Sequence, residues 1–165
     1  MRWREKGFTL IEVLVVISLL TLALLIATSS FSGGGQSNDL EQTSSEVISL
    51  LSEARSKAIT SDTQNEPSSS SYGIHFETDK ATLFKGTSFD ILDSSNFEIT
   101  FSNSQLTTDL PCPSAAECNN LLFQEISGEI ASFDSNANSI CIGSGSQEKK
   151  ISVNYLGVVN VDETC

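Results

Sequence analysis

The sequence has little of what most binding and catalytic chemistry uses. In 165 residues it holds one histidine, His75, one tryptophan, one methionine and three prolines. Basic residues are scarce, nine against twenty-one acidic, for a formal net charge of −12. Such a surface repels phosphate backbones at long range, which makes nucleic acid an unfavoured partner. Four cysteines are present, yet none makes a C-x2-C pair, and with a single histidine no zinc pattern forms. No nucleophile–base constellation stands out, so no enzyme activity is expected, and the residues suggest neither cofactor nor metal.

The charge is unevenly spread. Arg2, Arg4 and Lys6 lie ahead of Gly7, and removal of residues 1–7 would leave a net charge of −14. Behind them runs LIEVLVVISLLTLALLIAT, residues 10–28, interrupted by charge only at Glu12. As a helix, residues 8–28 would be about 31 Å long, close to the thickness of a bilayer's hydrocarbon core. The basic flank would keep the N-terminus cytoplasmic and export everything after residue 28.

A cleaved secretory signal fits poorly, because the run is long and TSSFSGGG offers no clear small-residue site beyond Ala27 and Ser29. A lipoprotein signal would need a Cys after the run. An ordinary anchor explains length and orientation but leaves Glu12 unexplained. A carboxylate in lipid costs about 2.5–3.5 kcal/mol on insertion scales, so Glu12 either snorkels to the interface or meets a partner.

The order basic leader, Gly7, Phe8-Thr9-Leu10-Ile11-Glu12 and apolar helix closely resembles the type IV prepilin signal. The resemblance implies cleavage after Gly7 by a prepilin peptidase, followed by N-methylation of Phe8. It implies that Glu12 pairs with the N-terminal amine of a neighbouring subunit during assembly. The apolar helix would be retained, first as a single inner-membrane span and then as part of a filament spine. In lipid, the ammonium and the carboxylate offset one another's cost when subunits stack.

After this helix, residues 29–38 (SSFSGGGQSN) read as a Ser/Gly hinge, since three successive glycines disfavour helix. Residues 39–60 carry Leu40, Val47, Leu51, Ala54 and Ala58 on one helical face, widened by Ile48, Leu50 and Ile59. Asp39 is the expected N-cap, and Glu53 with Lys57 an i,i+4 pair. Residues 61–71 form a polar loop. Strands are expected at 72–77, 80–85, 97–102, 129–133, 138–142, 149–155 and 157–161. The turns between them fall at Glu77–Lys80 and at residues 155–157, and residues 103–121 are loop. The fold class is α+β: a long N-terminal helix on an antiparallel β-sheet or sandwich head.

SEVISLLSEARSKAITSD, then YGIHFE and ATLF, then the closing ISVNYLGVVNV, resemble more narrowly the GspH/FimT minor pilins and pseudopilins. That resemblance implies a minor subunit of a type IV pilus or type II secretion filament, with other pilin or pseudopilin subunits as partners. The alternative is a binding module, a tip adhesin or a DNA-uptake pilin.

An even cysteine count in an exported head suggests two disulfides, with three connectivities open. Cys112–Cys118, closing a short loop, and Cys141–Cys165, tying a strand to the last residue, form the favoured set; buried free thiols are the alternative. Asp134-x-Asn136-x-Asn138 imitates a calcium loop but has Gly145 where the closing acid belongs, and reads as a turn. Gly143-Ser144-Gly145-Ser146 also reads as a turn, and His75 as a surface residue between Ile74 and Phe76.

Overall fold

A computed structural model describes residues 9–31, 34–60, 70–112 and 118–165. The chain divides into two compact units, residues 1–35 and 36–165. The first contains α1, Leu10–Phe31. Its described apolar side chains, from Leu10 to Leu24, are all exposed, as expected of a helix that is hydrophobic all round and covers no core of its own.

The second unit begins within α2, Gly34–Ile59. Helix therefore occupies the described part of the Ser/Gly stretch: residues 29–31 end α1, and 34–38 already belong to α2. Each glycine costs a helix about 1 kcal/mol, an amount that surrounding context can override. Asp39 consequently lies inside the helix rather than capping it. The expected apolar face is the one that is buried: Leu40, Val47, Leu50, Leu51, Ala54 and Ala58 enter the core, Ile48 packs on its margin, and Ile59 stays exposed. Lys57 and Glu53 pair at 3.3 Å.

Among the described residues, eight strands follow: β1 Tyr72–Phe76, β2 Lys80–Lys85, β3 Phe97–Thr100, β4 Gln105–Asp109, β5 Asn120–Phe123, β6 Ser139–Ser144, β7 Gln147–Val153 and β8 Val159–Asp162. They form two antiparallel sheets of four, ordered β3-β2-β1-β5 and β4-β6-β7-β8. Alternation sends Tyr72, Ile74 and Phe76 inward from β1, and Ile140 with Ile142 inward from β6. Side chains from α2 and both sheets belong to one core.

Two strands lie where the sequence reads as loop. In β4, only Leu106 is buried, and the polar QLTTD is held extended by its register with β6, Leu106 opposite Ile142. In β5, the short NLLF pairs with β1, Tyr72 opposite Phe123. Conversely, 129–133 is not a strand. Ile130 is buried and bridges to Phe123, but Ser132 takes φ 56°, which ends extended geometry.

The turns fall where expected. The Glu77 amide donates to the Lys80 carbonyl at 2.9 Å, and Lys80 pairs with Glu77 and Glu98 at 3.1 and 3.0 Å. Those two carboxylates, Glu98 foremost, raise the Lys80 pKa above its usual value. Between β7 and β8, the Gly157 amide closes onto the Asn154 carbonyl at 2.8 Å. Gly157 sits at φ 75°, with the Arg55 side chain and the Phe123 ring packed against its α-carbon. Asn136 closes an Asx turn on Asp134 Oδ1 at 2.9 Å, and residues 145–146 turn β6 into β7.

Candidate assembly site

The N-terminus of α1 is built as a capping box. The Glu12 amide donates to Oγ1 of Thr9 at 3.4 Å, and the Thr9 amide donates to Oε2 of Glu12 at 3.5 Å. Thr9 is the cap, and Glu12 occupies the third helical position, so two amides that a helix start leaves unpaired are satisfied reciprocally. The bonds are long, so the carboxylate is oriented rather than tightly held. A negative charge in the first turn also complements the helix dipole. The T-x-x-E spacing was readable in the sequence, where Glu12 draws attention as a partner for an amine. Gly7 and Phe8 lie outside the described residues.

Further along α1, the polar side chains are satisfied within the helix. Ser18 donates to the Val15 carbonyl and Thr21 to the Ser18 carbonyl, each at 2.9 Å. Such back-bonding lets hydroxyls tolerate an apolar environment. Among the described residues, no helix is long and apolar enough to cross a membrane. The side chains described on α1 end at Leu24, about 22 Å of helix from Leu10.

In the head, Cys112 pairs with Cys118 and Cys141 with Cys165, with Cα atoms 4.4 and 5.9 Å apart. Glu148 lies beside the second pair. Both sulfurs are bound to one another there, and a disulfide sulfur is not the thiolate that a metal needs.

His75 is partly buried rather than a simple surface residue. Its ring stacks on Phe89, centroids 4.2 Å apart and planes 9° apart. With Oδ1 of Asn120 as acceptor, Nδ1–H donates to it at 2.6 Å. A polar groove of about 530 Å3 runs beside it, lined by Glu77, Asp79, Thr107 and Thr108 among others. The Thr108 hydroxyl bonds to Asn119 rather than to His75, whose Nε2 lies 4.0 Å from Oε1 of Glu77. Sequence reading missed this cluster because Phe89 and Asn120 reach His75 only through the fold.

Two comparisons with known proteins bear on the chain. The family described as the prokaryotic N-terminal methylation motif matches residues 4–28. No curated protein matches the chain. Among solved structures, the chain is similar to the minor pseudopilin EPSH from the type II secretion system of Vibrio cholerae. The TM-score is 0.52 at 14% identity, over 78% of this chain and 96% of that one. At such identity the likeness is one of fold. The chain thus joins the prokaryotic N-terminal methylation motif at residues 4–28 to a fold similar to that of a minor pseudopilin.

Proposed function

We propose that this protein is a minor pilin or pseudopilin that helps initiate or cap the filament of a type IV pilus or type II secretion machine. The observation that carries the reading is the joining of the methylation motif at residues 4–28 to a head with the fold of a minor pseudopilin. Prepilin peptidase cuts after Gly7, Phe8 becomes the methylated N-terminus, and the apolar helix anchors the subunit in the inner membrane until assembly. Glu12 then meets the amine of a neighbouring subunit, and its place at the helix start leaves it oriented for that exchange. The role is structural, without catalysis or a bound cofactor.

Intact mass spectrometry without reductant, on membrane and sheared-filament fractions, tests this. The expected species begins at Phe8, carries one methyl group and lacks four thiol protons. A mass retaining residues 1–7 would overturn the processing and leave an ordinary anchored domain. A mass beginning near residue 28 would indicate a secretory signal and remove the filament role. The rival reading, a tip adhesin or DNA-capturing pilin, gains nothing from the charge of the head; DNA binding at physiological salt would revive it.

A further inference from the structure

The segment between β2 and β3 is fastened at several points while exposing apolar side chains. Its start is tied by the Gly86 amide to the Ser71 carbonyl at 2.8 Å. Phe89 then lies on His75 and against Phe84, 5.6 Å between the latter centroids. Two Asx turns follow. The Leu92 amide donates to Oδ1 of Asp90 at 2.9 Å, and the Ser95 amide and hydroxyl both donate to Oδ1 of Asp93 at 2.8 Å. The Asn96 side chain closes the loop onto the Asp90 carbonyl at 2.8 Å.

This scaffold holds Ile91 and Leu92 outward, 70% and 87% exposed, although burying them would be favourable. Asn96 leads directly into Phe97, 53% exposed, which opens β3. β3 is the edge of its sheet and pairs with β2 on one side. Its four residues, FEIT, include no Pro, and their one charged side chain, Glu98, is paired with Lys80. An apolar ledge therefore adjoins an open strand edge, and the cost of ordering both is met before any partner arrives.

The rim of this surface carries Asp90 and Asp93 in the loop and Glu98 on β3, with Lys85 at the end of β2 close enough to act on Asp93. Lys80, beside Glu98, is already shared between Glu98 and Glu77. From residue 36 onward the chain carries nineteen acidic and six basic residues, so a second copy would meet this rim with like charge. Anionic lipid is opposed for the same reason.

We propose that Ile91, Leu92, Phe97 and the open edge of β3 form a docking surface for a different protein, one presenting apolar side chains flanked by Lys or Arg. Strand addition supplies main-chain bonds, the ledge supplies apolar burial, and the acidic rim selects the basic partner. The surface is independent of whether the chain enters a filament.

The test places p-benzoylphenylalanine at position 92 of the full chain in its native membrane and irradiates it, with the same residue at Ser146 as a control. The expected product is one dominant adduct with another protein, whose cross-linked peptide contains Lys or Arg beside apolar residues. Asp90→Asn with Asp93→Asn keeps the side-chain oxygens that form the turns but removes their charge. That variant should lower the adduct yield by about threefold or more, as should 0.5 M salt. An adduct with a second copy or with lipid, no protein adduct beyond the Ser146 control, or a yield indifferent to the charge change would each overturn the proposal.

Discussion

Thr9 and Glu12 bind one another twice at the start of α1, amide to hydroxyl and carboxylate to amide. The same carboxylate that the filament reading assigns to a neighbouring amine thus also completes its own helix. Thr9→Ser should preserve both roles. Thr9→Ala should cost about 1 kcal/mol of helix-start stability while leaving the charge of Glu12 in place. Glu12→Ala should leave cleavage after Gly7 largely intact yet sharply reduce recovery in sheared filaments. Equal recovery of the Ala and wild-type proteins would remove Glu12 from assembly.

Gly157→Ala should destabilise the head. The residue sits at φ 75°, and an added Cβ would lie 2.9 Å from Arg55 Cδ and 3.0 Å from the Phe123 ring. Left-handed geometry alone costs a non-glycine residue about 1–2 kcal/mol. Thermal unfolding should shift down by several degrees. An unchanged midpoint would mean that Arg55 gives way without cost and that the turn tolerates the strain.

The two disulfides should contribute unequally. Cys141–Cys165 spans 24 positions and Cys112–Cys118 spans six. Chain-entropy arguments give about 3.5 kcal/mol for the longer loop and about 2.4 kcal/mol for the shorter. Urea unfolding of the paired Ser variants should therefore place the Cys141→Ser, Cys165→Ser protein below the Cys112→Ser, Cys118→Ser protein. The reverse order would point to an enthalpic origin for the difference.

The docking loop should respond to acid. The Ser95 amide, then its hydroxyl, hold the Asp93 carboxyl below its usual value of 3.8, with Lys85 adding to the effect. A depressed pKa contributes stability above the unfolded value, and that contribution is lost as pH falls through the folded value. Carboxyl titration by NMR should find Asp93 below 3.8, with loop signals changing as it protonates. Ser95→Ala should move the midpoint part of the way back, because the amide donor remains. No movement would assign the whole effect to the backbone.

Phe84 and Gly73 illustrate how a local pattern acquires meaning from pairing. They face each other across β1 and β2, and the ring covers Gly73 so closely that a Cβ there would lie 2.4 Å from Cζ. The strands themselves were legible, since YGIHF and KATLF alternate or run apolar between turn residues. That the outer face of β1 would carry a stack of His75, Phe84 and Phe89 was not. Phe89 lies in a loop whose course depends on Asp90 and Asp93 binding amides two residues on.

The sequence by itself determined the features whose physics is local. The motif around Glu12, the apolar face of α2, the Glu53–Lys57 pair and the turns at Glu77–Lys80 and Gly157 all arise from residues within a few positions of one another. Helical periodicity, turn chemistry and charge spacing operate at that range. Only the tertiary structure decided which polar segments become strands and which cysteines and rings meet. QLTTD is extended because β6 offers it a ladder, and EIASF is not because Ser132 turns left-handed behind a buried Ile130. Strand pairing satisfies backbone groups across tens of residues, so its outcome depends on partners that no local window contains.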